Sequence, residues 1–309
     1  LKSGLEIHQQ LDTNKLFCNC PSILRKDEPD FIVRRRLHPV AGESGEVDIA
    51  AAYQHSLDKE FVYEGYKDTT CLIELDESPP NLINEEALNI TLHVALLLNC
   101  KIIPITQIMR KTVVDGSNTS GFQRTVVIAR DGFVETKLGE VGIASVCLEE
   151  DAARIIDKDK GIFRLDRLGI PLIEIATEPD TKSPEQAKEV ALYLGEILRS
   201  CKVKRGLGTI RQDVNLSIKG GSRIELKGFQ DIDNIERAMK TEIARQISII
   251  NRTKIQTVND GKNIIVKPNA LGLKLNLLQP EVRKVLPDGK SEFLRPMPGA
   301  ARMYPETDL

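Results

Sequence analysis

Short segments that alternate apolar and polar residues run through most of the chain, and they constrain its fold more than any other feature. The segments are GLEIHQQ from Gly4, TVVIAR from Thr125, VGIASVCL from Val141, PLIEIATE from Pro171, DVNLSIK from Asp213 and RIELKGF from Arg223. A period of two is typical of strands that bury one face. Because few helices separate these segments, the sequence predicts an α+β fold with a large, mostly antiparallel sheet.

Three segments have the periodicity of amphipathic helices. The first begins near Asn84 and carries acidic residues in its first turn, where they complement the helix dipole. The second begins at Ser183, which is followed by proline and by Gln186 at the spacing of a capping box. The third runs from about Asp231 to Ile250. Each apolar stripe is expected to pack on the sheet.

Composition excludes several classes of protein. A chain of 309 residues with 41% hydrophobic residues can bury a substantial core. It contains no apolar run of about 18 residues, so no membrane helix is expected. Its 43 basic and 45 acidic residues nearly balance, which argues against a long track for nucleic acid. Neither a P-loop nor a strand-linked GxGxxG motif is present.

Six cysteines are scattered through the chain without a secretory signal, so reduced thiols in the cytoplasm are expected. Cys18 and Cys20 form a CxC pair that is similar to half of a zinc knuckle. No CxxC partner follows this pair. Free thiols are therefore the favoured interpretation, and a zinc site is the alternative.

Candidate ligands for a metal ion occur in three stretches. In GLEIHQQ, the strand period places Glu6 and His8 on the face opposite the apolar pair. PLIEIATE embeds Glu174 in an apolar run, where an unpaired carboxylate would be costly, and LEEDA at 148–152 supplies further acids. Together these side chains have the ligand types for a divalent cation. Carboxylate and water oxygens suit Mg²⁺, whereas an imidazole nitrogen favours Mn²⁺ or Zn²⁺.

Charges of both signs lie on the polar faces of the later strands. Arg211 and Asp213 share one such face, and Glu225 and Lys227 share the next. A solvent-exposed face explains any one strand, whereas five strands of this kind favour a concave polar cradle. Both interpretations stay open at this point.

A family resemblance rests on long ordered motifs. GLEIHQQLDTNKLFC, RRRLHPVAGESGEVD, CLIELDESPP, LEEDAARI, LDRLGIPLIEIATEPD and PGAARMYPETD together closely resemble the family formed by the E subunit of archaeal glutamyl-tRNA(Gln) amidotransferase. The bacterial and organellar relative, the B subunit, is similar in its GLE-h-H, LEED and PLIEI motifs. The resemblance covers essentially the whole chain. It implies a cradle-shaped catalytic domain akin to those of glutamine synthetase and the guanidino kinases.

The resemblance also implies an activity. Members of the family are carbon–nitrogen ligases of the glutamine-hydrolysing glutaminyl-tRNA synthase type, and they depend on ATP and Mg²⁺, with Mn²⁺ as an alternative ion. They phosphorylate the γ-carboxylate of glutamate carried by tRNA(Gln) and replace the phosphate with ammonia. The ammonia would come from the D subunit of the amidotransferase, which is similar to an asparaginase. A heterotetramer with this D subunit is expected, located in the cytoplasm.

Site residues follow from the same resemblance. It assigns metal and phosphate chemistry to His8, to the second Glu of LEED, which is Glu150, and to Glu174, with Glu6 as a catalytic neighbour. The strand-face cations Arg211 and Lys227 are candidate contacts for the phosphates of ATP. For these two, an ion pair with the neighbouring Asp213 or Glu225 is an equally good interpretation.

The chain departs from the family pattern in its domains. An inserted domain that resembles part of aspartyl-tRNA synthetase is expected near Gln279–Val282 and is missing there. The helical and tail domains that bind the tRNA body in relatives are also missing, so residues 1–309 are expected to form one catalytic cradle of a trimmed or incompletely represented chain. Two other functions stay open: a ligase or kinase acting on free glutamate or a guanidino compound, and a non-catalytic scaffold for the ammonia-producing partner.

Overall fold

A computed structural model describes residues 1–42, 45–47, 49–229, 231–258, 278–297 and 303–309. The strands are β1 (Lys2–Gln10), β2 (Phe31–Arg35), β3 (Phe61–Gly65), β4 (Lys101–Ile102), β5 (Met109–Thr112), β6 (Phe122–Thr136), β7 (Gly139–Glu150), β8 (Arg154–Asp157), β9 (Ile162–Arg164), β10 (Pro171–Thr177), β11 (Ile210–Ser217), β12 (Ile224–Lys227), β13 (Glu281–Val285), β14 (Ser291–Pro296) and β15 (Met303–Pro305). The helices are α1 (Ile49–Ser56), α2 (Glu85–Leu97), α3 (Pro184–Ser200) and α4 (Asp233–Val258).

A sheet of eleven strands organises the described part of the chain. Its order is β14-β13-β12-β11-β1-β10-β7-β6-β5-β15, and β4 also pairs with β6. Neighbouring strands in this sheet are antiparallel except for β12 and β13, which run parallel. A smaller sheet has the order β2-β3-β9-β8. The prediction of an α+β fold with a large, mostly antiparallel sheet is therefore confirmed.

The two faces of the large sheet differ in chemistry. Leu5 and Ile7 of β1 and Ile173 of β10 are buried in the main hydrophobic core together with residues of α2, α3 and α4. On the other face, His8 lies opposite Glu174 in one neighbouring strand and opposite Arg211 in the other. Residues paired in this way share a face. The helices therefore cover one side of the sheet and leave a polar side for a binding site.

The predicted helices begin where the sequence placed them. The side chain of Asn84 accepts a backbone N–H from the first turn of α2, and Ser183 Oγ accepts the N–H of Gln186 at 3.1 Å at the start of α3. Gln186 Oε1 in turn accepts the N–H of Lys182 at 2.8 Å. The third helix runs to Val258, beyond its predicted end. The short helix α1 was not predicted, because two turns give too little periodicity.

Two features of the predicted domain organisation lie near the gaps in the structure. The predicted insertion point at 279–282 lies at the start of β13, and the preceding residues 259–277 are outside the described residues. Residues 298–302 of the PGAARMYPETD motif are also outside them. The missing insertion and missing tail domains therefore stay predictions. None of the helices in the ranges given above is long and apolar enough to cross a membrane.

Candidate active site

A pocket of about 490 Å³ opens on the polar face of the large sheet. It lies where β1, β10, β7, β11 and β12 meet, with β5 contributing from further along the sheet. Its charged lining consists of Glu6, His8, Lys111, Glu149, Asp151, Glu174, Arg211, Asp213, Glu225, Lys227 and Arg295. A volume of this size accommodates a ligand as large as a nucleotide. The alternating charged faces therefore form a concave site rather than a flat solvent-exposed surface.

Five of the six predicted site residues line this pocket, and three of these five form a cluster. His8 Nε2 lies 3.0 Å from Glu174 Oε2 across the β1–β10 pair. Glu6 is on the same face of β1, and the ligand atoms of Glu6, His8 and Glu174 all lie within 4.8 Å of one another. One imidazole and two carboxylates at this spacing fit a divalent cation.

The close approach of these three side chains shifts the pKa of each one. Burial and the nearby charge of Glu174 raise the pKa of Glu6 to about 7. Burial alone would raise the pKa of Glu174, but the hydrogen bond from His8 outweighs it and lowers that pKa to about 2. Burial alone would lower the pKa of His8, but its hydrogen bond to Glu174 outweighs burial and raises that pKa. A cation bound by Glu6 and His8 would therefore compete with protons for these two side chains.

Glu150 does not join the trio, and the predicted joint site of His8, Glu150 and Glu174 needs correction. Successive residues of a strand face opposite sides, so Glu149 and Glu150 at the end of β7 are separated by the sheet. Glu149 faces the pocket: its Oε2 lies 4.0 Å from His8 Nε2, and its Oε1 accepts a hydrogen bond from Lys111 Nζ at 3.0 Å. Glu149 is therefore the acid of LEED that lies beside the trio.

Glu150 instead belongs to a buried ionic cluster on the helix-covered face. Its Oε2 accepts the backbone N–H of Arg124 at 3.3 Å and lies 3.5 Å from the guanidinium of the same residue. Arg124 Nε also donates to Glu306 Oε2 at 2.6 Å. Burial raises the pKa of Glu150 although the charge of Arg124 opposes this. These contacts indicate a structural ion pair.

Lys227 is held by two carboxylates, as one interpretation of the sequence allowed. Its Nζ lies 2.6 Å from Asp213 Oδ2 and 2.8 Å from Glu225 Oε1. Burial alone would lower the pKa of Lys227, but these two carboxylates outweigh it and raise that pKa. Lys227 therefore carries a positive charge on the pocket wall. Asp213 and Glu225 form a second acidic group with Glu6, with ligand atoms within 4.8 Å of one another.

Arg211 also lines the pocket, but its ionic partner differs from the predicted one. Its guanidinium donates to Asp151 Oδ1 at 3.2 Å rather than to Asp213. The side chain is 45% exposed, whereas that of Asp151 is 2% exposed. A buried carboxylate thus anchors a cation that reaches into the open pocket.

Sequence reasoning singled out Glu149 and Asp151 only as acids of LEEDA, without assigning either to the site, and it missed Lys111. A usable signal existed for Glu149, because Val146 and Leu148 are apolar and the strand period places Glu149 on the face opposite them. Lys111 gave no such signal. It lies in the four-residue strand β5, and sheet pairing alone brings its Nζ to 3.0 Å from Glu149 and 3.9 Å from Glu174.

The CxC cysteines have partners that lie far away in sequence. The ligand atoms of Cys18, Cys20, Cys71 and Glu74 all lie within 4.8 Å of one another. Hydrogen bonds from Cys18 and Cys20 lower the pKa of Cys71, which favours its thiolate. Three thiols and one carboxylate form a donor set that fits Zn²⁺. The structure therefore favours the alternative of a zinc site over unconnected thiols, and it adds two ligands that the sequence spacing did not reveal.

Comparison with known proteins agrees with the chemistry of the pocket. Residues 1–309 match the family described as the GatB/GatE catalytic domain. The chain belongs to this family. The resemblance that the LEED, PLIEI and CLIELDESPP motifs indicated is thus confirmed for the whole of the chain.

Curated relatives are named as the E subunit of glutamyl-tRNA(Gln) amidotransferase. The protein of Methanocaldococcus jannaschii is 59% identical over 255 residues, which are 81% of this chain and 40% of the relative. That of Methanococcus maripaludis strain C7 is 53% identical over 274 residues, covering 87% of this chain and 42% of the relative. That of Pyrococcus abyssi is 40% identical over an alignment of 425 residues that covers 100% of this chain and 67% of the relative. The chain spans about two-fifths of the length of the first two relatives.

Proposed function

We propose that this chain is the catalytic domain of a tRNA-dependent amidotransferase. Its reaction is ATP-dependent phosphorylation of the γ-carboxylate of glutamate carried by tRNA(Gln), followed by replacement of the phosphate with ammonia. The observation that supports this most strongly is the convergence of Glu6, His8 and Glu174 in a large charged pocket of a GatB/GatE catalytic domain. The proposal includes a cradle akin to those of glutamine synthetase and the guanidino kinases, in which the open sheet face holds ATP.

The first step has an electrostatic obstacle that this pocket is suited to lower. A substrate carboxylate must attack the terminal phosphate of ATP, and both groups are anionic. Two unit charges about 4 Å apart at an effective dielectric near 20 repel each other by roughly 4 kcal/mol. A barrier of that size slows a reaction about a thousandfold. Lys111, Lys227 and Arg211 line the same pocket, and their charges oppose this repulsion.

The acidic part of the lining would hold the cation that accompanies ATP. His8 and Glu174 would be direct ligands, with Glu6 and Glu149 on the same face. A bound Mg²⁺ or Mn²⁺ would supply positive charge to the phosphate oxygens and thereby favour transfer. Glu6 must give up its proton before it can serve as a ligand, since its pKa is raised to about 7. The protein contributes a fixed cluster of oxygen and nitrogen donors at one point of the sheet.

Ammonia is the second substrate that the proposal requires. We assign its supply to an asparaginase-like partner, the D subunit of the amidotransferase, in a heterotetramer of the kind that the family resemblance implies. Glutamate on tRNA(Gln) is the acceptor. The pocket lies on the face opposite the helices, so a tRNA 3′ end can approach it without displacing α2, α3 or α4.

The test uses the full-length protein assembled with its partner and supplied with glutamyl-tRNA(Gln), ATP, Mg²⁺ and ammonium. Glu174→Gln is expected to abolish measurable formation of glutaminyl-tRNA(Gln) and to weaken Mn²⁺ binding. Glu185→Gln is the matched control, because Glu185 forms an exposed ion pair with Lys240 on the helix side. Unchanged turnover in Glu174→Gln would remove this residue from the reaction.

The same assay separates the other candidate functions. Glutamine formation from free glutamate, ATP and ammonium without RNA would favour a small-molecule ligase. If alanine at Glu6, His8 and Glu174 left both the partner complex and its turnover unchanged, a scaffold function would replace the proposed one.

A further inference from the structure

Asp151 occupies a rigid and buried position directly after β7. Its backbone N–H donates to Ile170 O at 2.7 Å, and its carbonyl oxygen accepts the N–H of Gly169 at 2.9 Å. The residue is 1% exposed. A carboxylate in such a place is costly unless it has hydrogen-bond partners or a compensating charge. The partners of Asp151 therefore indicate what it does.

These partners come from two separate strands of the pocket. Gln10 Nε2 at the end of β1 donates to Asp151 Oδ2 at 2.6 Å. The guanidinium of Arg211 on β11 donates to Oδ1 at 3.2 Å, and the same oxygen accepts the backbone N–H of Ala152 at 2.9 Å. Arg167 Nε lies 3.7 Å from Oδ2. Gln10, Ala152 and Arg167 thus fix the carboxylate of Asp151 independently of its contact with Arg211.

Arg211 differs from Asp151 in that it is only partly enclosed. Its side chain is 45% exposed and lines the pocket, and its backbone lies opposite His8 in the β1–β11 pair. Among the residues that the structure describes, Asp151 is the acidic residue that forms an ion pair with Arg211. A guanidinium has five N–H donors, so one bond to Asp151 leaves donors for a ligand.

We propose that Asp151 is a positioning residue that holds the Arg211 guanidinium over the pocket, where Arg211 binds the phosphates of ATP. This inference rests on the proposed function, since it takes the nucleotide as the ligand of the pocket. A free arginine would lose side-chain entropy on gripping a phosphate, whereas an anchored one has lost it already. Arginine in a fixed orientation also recognises phosphate by paired N–H donors, which a point charge cannot do.

The test is a double-mutant cycle on nucleotide affinity, because only coupling shows that Asp151 acts through Arg211. Titration calorimetry on the full-length protein measures the Kd of a magnesium complex of a non-hydrolysable ATP analogue. Asp151→Asn and Arg211→Ala are each expected to raise this Kd about tenfold, as the loss of one charge-assisted hydrogen bond does. The double variant is expected to equal Arg211→Ala. Two independent losses that multiply in the double variant would overturn the inference.

A matched control and a second variant keep the result decisive. Asp166 is another buried aspartate, and its Oδ2 accepts a hydrogen bond from the guanidinium of Arg154 at 2.5 Å. Neither residue lines the pocket. Asp166→Asn is expected to lower stability and leave the Kd unchanged. If Asp151→Asn does not fold, Asp151→Glu replaces it in the cycle. A higher Kd for Asp151→Glu in the wild-type background and no further change in the Arg211→Ala background supports positioning, and an equal rise in both backgrounds refutes it.

The same experiment distinguishes failure of the inference from failure of the proposed function. Absence of nucleotide binding in the wild-type protein, together with absence of ATP-dependent turnover, would refute the proposed function. Normal wild-type binding and turnover with independent effects of Asp151→Asn and Arg211→Ala would refute the positioning role alone. In turnover assays, positioning predicts that Asp151→Asn raises KM for ATP with a smaller change in kcat.

Discussion

Glu149 and Glu150 offer a test in which two neighbouring and chemically equal residues should respond in opposite ways. Glu149 faces the pocket, 4.0 Å from His8 Nε2. Glu150 lies on the other face, in contact with Arg124. Replacing each in turn by glutamine keeps the shape of the side chain and removes its charge. We expect Glu149→Gln to lose metal affinity and Glu150→Gln to lose stability.

The size of each effect follows from its surroundings. A dication about 5 Å from a carboxylate gains roughly 1.7 kcal/mol even at the dielectric of water, so Glu149→Gln should raise the Kd for Mn²⁺ at least about tenfold. A hydrogen bond to a charged group contributes about 1.5–3 kcal/mol. Arg124 keeps its bond to Glu306, and burial raises the pKa of Glu150, so the lower end of that range applies. At about 2–4 °C per kcal/mol, Glu150→Gln should lower Tm by a few degrees.

The assay combines Mn²⁺ titration followed by electron paramagnetic resonance with thermal unfolding followed by circular dichroism. Wild-type protein and both variants are measured in one buffer. The expected pattern is weak Mn²⁺ binding with near-normal Tm in Glu149→Gln, and normal binding with lowered Tm in Glu150→Gln. The reverse pattern would show that Glu150 is the ligand and that the assignment of strand faces is wrong.

Three further predictions concern proton release, the cysteine cluster and a helix cap. A cation must displace protons from Glu6, whose pKa is raised to about 7, and from His8, whose pKa is also raised. The Kd for Mn²⁺ should therefore fall as pH rises from 6 to 8, by up to about tenfold per pH unit for each proton released. A Kd that is the same across this range would contradict these pKa shifts. We expect about one equivalent of zinc in wild-type protein purified without chelators, and Cys71→Ala should lower both this zinc content and Tm. Cys201→Ala lies outside the cluster and should change neither. Mass spectrometry measures the zinc content, and zinc-free wild-type protein would refute the site. Ser183→Ala should lower the free energy of unfolding by about 1 kcal/mol in urea titration, because it removes the N-cap of α3, and a change below about 0.3 kcal/mol would show that the cap is dispensable.

Local patterns were sufficient for six strands of the large sheet and for three helices, but they predicted none of the strands of the smaller sheet. The alternation in GLEIHQQ placed Leu5 and Ile7 in the core and His8 on the other face, and Ser183 and Asn84 marked the starts of two helices. These features depend on residues within a few positions of each other. The sequence therefore contains them directly.

Contacts between distant segments were beyond the reach of the same reasoning. Lys111 meets Glu149 only because β5, β6 and β7 pair in order, and Cys71 meets Cys18 across more than fifty residues of chain. The error at Glu150 had another source. The resemblance to a motif assigned the second acid, although the strand period already placed the first acid on the face of the pocket.

The pairing of β15 with β5 links the two faces of the large sheet. Met303 lies opposite Lys111 in that pair. Glu306, three residues later, forms ion pairs with Arg110 and Arg124 on the other face of the sheet. Lys111 and Arg110 are adjacent in β5 and point to opposite faces of the sheet. One short strand therefore carries both a partner of Glu306 on one face and a residue of the pocket on the other. The edge pairing of β15 and the wall of the pocket therefore depend on the same four-residue strand.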